Sequence, residues 1–265
     1  MGHTRLGPIP KTRKWEAVVR LLESEDLDIG RASAHITDIA SFALGAAEGA
    51  IKQAKNDVGL TQSLYLLIRI LQATREPNPV AALDNMGIRL SDNATAFQMI
   101  SQFQDLLDKT IIKRGPRTGV TEIAQQAAGE TLSSMLGSLE QSLFKTSRNE
   151  ILQTLRSTST KAGFSKLGRT FFAQFLKRFL NFYLSRASAS LVSSPSFAHV
   201  GGISDFDQAL ELHCYQSAHI VEAFAGSWYS KASFKSTIDI DHTKRFIAVS
   251  LQKIADELNI QGGRP

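Results

Sequence analysis

A chain of 265 residues, 43% of them hydrophobic, is long enough to bury one large core or two small ones. Its single cysteine, Cys214, excludes an intrachain disulfide and favours a reducing, cytoplasmic compartment, and a net charge of +5 is too modest for a histone-like or arginine-rich binder. No window offers about 18 uncharged apolar residues, so no membrane-spanning helix is expected.

The opening stretch MGHTRLGPIPKTRKW lacks the apolar run of a secretory leader. Pro8 and Pro10 favour extended backbone, so residues 1–14 are expected to form a basic arm. Arg5, Lys11, Arg13 and Lys14 give it charge, and Trp15 adds an aromatic anchor for a partner surface. Next, RASAHITDIASFALGAAEGAIKQAK sets Ile36, Ala40, Ala43, Leu44, Ala47, Ile51 and Ala54 on one stripe at helical spacing. The small side chains of that stripe invite a close-packed neighbouring helix.

LTQSLYLLIRILQAT is apolar nearly all round and reads as a central buried helix, stopped by the prolines of REPNP. NPVAALDNMG reads as a short helix ending at Gly87. SDNATAFQMISQFQDLLDKTIIK opens on the cap-type residues Ser91, Asp92 and Asn93 and ends in the loop KRGPRTG. VTEIAQQAAGETLSSMLGSLEQSLFK and NEILQTLR continue the helical pattern. STSTKAGFSKLGR, rich in Ser, Thr and Gly, marks a loop or a domain boundary.

TFFAQFLKRFLNFYLSR follows, with six aromatic rings and three cations. On a helical wheel at about 100° per residue, the rings share an arc with Leu176, Leu180 and Leu184. Lys177, Arg178, Gln174, Asn181 and Ser185 share the narrow remainder. Rings and cations are segregated, whereas a base-stacking surface needs both on its exposed face. A core helix with one wet edge is the reading. SSPSFAHVGGISD reads as a second loop and DFDQALELHCYQSAHIVEAFAG as one helix ended by Gly226. SWYSKASFKSTIDIDH reads as irregular or a short strand, and DHTKRFIAVSLQKIADELNI as the last helix.

Within the loop expected after Gly226, Trp228 is expected to be mostly buried. Tyr229, Lys231 and Lys235 are expected on the surface as a contact patch. His213 and Cys214 fall on the apolar face of their helix, with His219 and Glu222 on the polar face. Adjacent helical residues diverge, so neither a metal site nor a cysteine–histidine pair is built. The chain has no phosphate loop, dinucleotide fingerprint or nucleophile elbow. No metal, no cofactor and no catalytic residue are assigned.

The positive excess is localised. Between Lys145 and Arg186 there are nine Lys and Arg against one acid. That segment and the KRGPRTG loop support a rival reading, direct nucleic-acid binding. It would use Lys113, Arg114, Arg117, Arg148, Arg156, Lys161, Lys166, Arg169, Lys177 and Arg178.

The segments SLFKTSRNEILQTLR, FFAQFLKRFLNFYLSR and AHIVEAFAGSWYSK resemble helical accessory proteins of bacterial anti-phage defence gene clusters. The resemblance lies within Ser142–Lys253 and rests on texture. It implies an accessory or scaffold subunit and carries over no catalytic residue. The sequence therefore predicts an all-α, multi-helix bundle of about nine or ten helices with no extended sheet. Residues 1–14 form the arm, and 15–156 and 157–265 form two helical bundles or one continuous domain. The expected role is a non-enzymatic adaptor that docks a larger protein partner.

Overall fold

The computed structural model describes residues 16, 51, 54–140, 147–188 and 200–262. Among these residues the protein is all-α, with nine helices and no sheet. They are α1 (Val58–Ala73), α2 (Pro79–Asn85), α3 (Ala96–Arg114), α4 (Gly119–Glu140), α5 (Arg148–Thr158), α6 (Lys161–Ser188), α7 (Val200–Ser217), α8 (His219–Phe234) and α9 (Ile240–Gly262). The arm and nearly all of the Ala-rich stripe lie outside the described residues.

Two helices organise the rest. α1 is buried on every side except near Arg69, as its apolar sequence predicts, and packs against α3, α4 and α9. α6 packs against α4, α5, α7 and α8. Its rings Phe171, Phe172, Phe175 and Phe179 are fully buried, with Leu176, Leu180 and Leu184 beside them. The aromatic run is thus core. The described apolar core is one cluster from Ala54 to Ile254. The division at 156/157 falls inside α5, and side chains on both sides of it share that cluster.

Local chemistry fixes the element ends. Asp57 caps α1 by accepting from Leu60 N–H at 2.8 Å, and its carboxylate also accepts from the Thr118 and Thr121 hydroxyls at 2.5 and 3.1 Å. One residue therefore starts α1 and ties it to the start of α4. α2 ends in a Schellman turn. Gly87, at φ +95°, donates to the Asp84 carbonyl, and Ile88 donates to Leu83, which is buried with it.

Several expected boundaries are corrected. α3 starts at the Thr95 cap rather than at Ser91–Asn93. Thr95 and Gln98 satisfy each other's backbone N–H in a capping box, which outcompetes the earlier cap-type residues. The STSTKAGF break is only Ser159 and Thr160. The stretch expected as one helix from Asp205 to Gly226 is interrupted at Ala218, between α7 and α8. α7 already includes Gly201 and Gly202, which were expected in a loop. STIDI is a turn and the first residue of α9, not a strand.

The largest correction concerns Gly226. It does not stop a helix; α8 runs through it to Phe234. A Cβ at 226 would collide with the Lys161 carbonyl and the Ser165 hydroxyl, and Gly226 N–H donates to Ser165 Oγ at 3.1 Å. Glycine is there for close approach between α8 and the first turn of α6. The helix ends instead at Ser236, a non-glycine residue at φ 51°. There Thr237 N–H closes on the Ala232 carbonyl at 3.0 Å.

Extending the helix through this region corrects the expected place of Tyr229, while Trp228 is largely covered as expected. Tyr229 is not on the surface: it is 1% exposed and stacked on Phe164 with centroids 4.2 Å apart. Trp228, one position round the helix, is partly buried and stacked on Phe246 at 4.2 Å. Lys231 and Lys235 are exposed.

Candidate functional site

Arg5, Lys11, Arg13, Lys14 and Trp15 lie outside the described residues. The ten cations of the nucleic-acid reading divide evenly. Arg117 pairs with Asp108, Arg148 with Asp92, Arg169 with Glu222, Lys177 with Asp207 and Glu211, and Arg178 with Glu130. These five tie helices to one another or to flanking loops, each with its charge neutralised by a carboxylate. Arg169 also lies 3.8 Å over the Tyr215 ring and donates to the Tyr215 carbonyl, fixing α6 to the end of α7. Burial pulls the Lys177 ammonium down, but its bonds to Asp207 and Glu211 outweigh this and hold its pKa above the ordinary value. Lys113, Arg114, Arg156, Lys161 and Lys166 remain exposed and do not form one patch in sequence or on one helix.

The other chemically active-looking residues have structural roles. Cys214 is fully buried, and burial pushes its thiol far up, away from the reactive thiolate. His213 is 5% exposed, with burial holding its pKa below the ordinary value. Asp239 accepts from His242 N–H at 2.7 Å and from its ring at 3.0 Å, capping α9. Among the described residues no group of three or more His, Cys, Asp or Glu is placed to hold a metal ion.

One recess does gather polar groups from several elements. A cleft of about 630 Å³ opens where the ends of α1 and α8 meet the start of α6. Arg69 and Arg75 reach it from α1 and the turn that follows, and Lys161 from the first position of α6. Glu76 is the one carboxylate in its lining, so the wall carries a net positive charge. Arg75 Nη1 donates to the Ser159 carbonyl at 3.2 Å, which holds the guanidinium beside the α5–α6 turn. Thr160 caps α6 by accepting from Gly163 N–H at 3.1 Å. The positive end of a 28-residue helix therefore faces the cleft.

The α8 wall adds two hydroxyls to the cleft. Tyr229 Oη and Ser233 Oγ are buried, and neither makes a well-aligned hydrogen bond, although the phenol lies within reach of Ser233 and Arg75. Arg75 and Ser233 lie close enough to lower the phenol's pKa. Burial, the largest influence, nevertheless holds it above the ordinary value. Phe234, at the rim, is 91% exposed. A second groove of about 550 Å³ lies beside α2 and α3, but its two charged residues, Asp84 and Arg89, pair with each other at 2.8 Å. The α1–α6–α8 cleft is the one whose cations have no carboxylate partner among the described residues.

Sequence reasoning located this region only in part. It singled out residues 226–235, where Lys231 and Lys235 are exposed as expected but Tyr229 is buried. Arg69 escaped notice because its helix reads as pure core, and Arg75 because it falls in the REPNP stop that follows. The usable signal was the density of Ser around Phe234, in SKASFKS. No family model, no curated protein and no solved structure matches this chain.

Proposed function

We propose that this protein is a non-enzymatic interaction subunit, an adaptor that docks a larger protein partner through its basic arm and the rim of the α1–α6–α8 cleft. One observation carries the reading: Arg69, Arg75 and Lys161 gather with an exposed Phe234 around a recess, while Arg117, Arg148, Arg169, Lys177 and Arg178 are neutralised internally. An aromatic anchor beside arginines that have no carboxylate partner among the described residues is the composition of a binding hot spot. The cytoplasmic compartment and a place in an anti-phage defence complex belong to the same proposal and rest on the single cysteine and the resemblance of Ser142–Lys253.

The test compares captures from an extract of the native host. Wild-type protein is expected to retain a defined partner that a Phe234→Ala/Arg69→Glu variant loses and a Lys113→Glu/Arg114→Glu variant keeps. Deleting residues 1–14 is expected to weaken the same capture. If all variants capture alike, the cleft is not the docking surface. The nucleic-acid reading predicts something different: binding to nonspecific DNA or RNA that falls steeply with salt. Five internally paired cations count against it, and anisotropy titrations at two salt concentrations decide it.

A further inference from the structure

The cleft's wall is built for something that accepts hydrogen bonds. Tyr229 is 1% exposed, and its hydroxyl lies beside Ser233, one helical turn away, and Arg75 without forming a well-aligned hydrogen bond to either. A buried hydroxyl without a well-aligned bond is costly, and an acceptor seated in the cleft would complete its hydrogen bonding. Arg75, close enough to act on the phenol, and Lys161 line the same space. The start of α6 adds the positive end of its dipole. Hydroxyl donors, guanidinium forks and a helix N-terminus converging on one recess are the chemistry of oxyanion recognition.

Charge selects among oxyanions. Three cations and one carboxylate leave the lining with two positive charges in excess. A lone carboxylate would neutralise only half of this, whereas a phosphate monoester carries about −1.5 to −2 at neutral pH and offers three acceptor oxygens. We infer that the cleft is a phosphate-monoester site, and that the group it takes is a phosphorylated Ser or Thr side chain of the docked partner. This inference rests on the adaptor reading for the identity of the phosphate's carrier. Phe234 at the rim then packs against the partner's flanking backbone. The open cleft, far larger than one phosphate, accommodates a chain segment around the modified residue.

The experiment uses the full chain. Inorganic phosphate, a phosphoserine peptide and the same peptide unphosphorylated are titrated at pH 7.5 and matched ionic strength. Thermal shift and isothermal calorimetry are the readouts, with sulfate controlling for salt effects on burial. Expected is saturable binding of the phosphopeptide, weaker binding of phosphate, and none of the unphosphorylated peptide. Tyr229→Phe keeps the ring on Phe164 and deletes only the hydroxyl. It is expected to leave apo stability unchanged or higher while weakening phosphopeptide affinity about tenfold or more. Arg69→Ala/Lys161→Ala, at exposed positions, serves as an independent second variant and is expected to lose binding with folding intact.

Phosphate binding that ignores all three substitutions places the anion elsewhere and overturns the inference. Equal binding of free phosphate and phosphopeptide assigns a small phosphorylated molecule as occupant and overturns the phosphoprotein source. If host-partner capture depends on the cleft but no phosphate arm binds, the inference fails and the adaptor reading stands. If capture is independent of the cleft as well, both fail.

Discussion

At residue scale, glycine and histidine show how packing overrides local signals. Gly226 followed by Ser-Trp reads as a helix stop, because glycine readily takes the left-handed conformation. In the structure the absence of its side chain serves a helix crossing instead. Gly226→Ala is therefore expected to destabilise by about 1–3 kcal/mol through overpacking, measured by chemical denaturation. At a true helix stop, the loss would come with altered helix length and no change at the α6 contact. His213 gives a pH prediction. Burial lowers its folded pKa below the unfolded value of about 6.5. Below pH 6.5 the unfolded chain takes up a proton that the folded chain resists, so stability falls as acid is added, down to the folded pKa. Denaturation at pH 7.5 and 5.0 is expected to show that loss, and His213→Leu is expected to shrink it.

At the scale of elements, periodicity made most of the fold legible and capping made its ends only partly so. α1 and α6 announce themselves by apolar pattern over many residues, which no local choice can reverse. The junctions depend on single hydrogen bonds, and there Thr95 displaced Ser91–Asn93 as the cap of α3. The α8–α9 segment was misread because its helix stop is Ser236, a residue type that seldom takes positive φ. Once α8 is known to continue, the roles of Trp228 and Tyr229 follow from one step of about 100°. Trp228→Ala is expected to cost about 2–3 kcal/mol, short of the ~3–5 typical of full burial, because its indole keeps some exposure. Lys231→Ala/Lys235→Ala is expected to stay within about 0.5 kcal/mol of wild type in the same thermal melts. The cleft was illegible for a related reason. Its residues come from three helices whose meeting depends on the α6–α8 crossing, and no spacing in one segment encodes that.

At the scale of the molecule, α6 ties the two halves of the sequence together. It packs on α4 and α5 as well as on α7 and α8, so cutting the chain at 156/157 removes the helix that covers α4. Fragments 1–156 and 157–265, expressed separately, are expected to show reduced ellipticity and broad, weakly cooperative melts. Mixed together, they are expected to recover a sharp transition. Two fragments that each melt sharply on their own would show that the shared core is dispensable. The same connectivity puts the cleft at a junction of early and late segments, since Arg69 and Arg75 come from the first half and Lys161, Tyr229 and Ser233 from the second.

The one thiol in 265 residues has a practical consequence. Cys214 is fully enclosed on α7, next to the Lys177 clasp that joins α7 to α6. An alkylating reagent can reach it only after that part of the structure opens, so the unmodified protein carries its own stopwatch. When reagent is limiting, labelling reports how often the sulfur is uncovered; when it is in excess, labelling reports the opening rate itself. If that rate equals the global unfolding rate, α7 is an integral part of the body. A faster rate, raised further by Lys177→Ala, identifies α7 as a flap that lifts on its own.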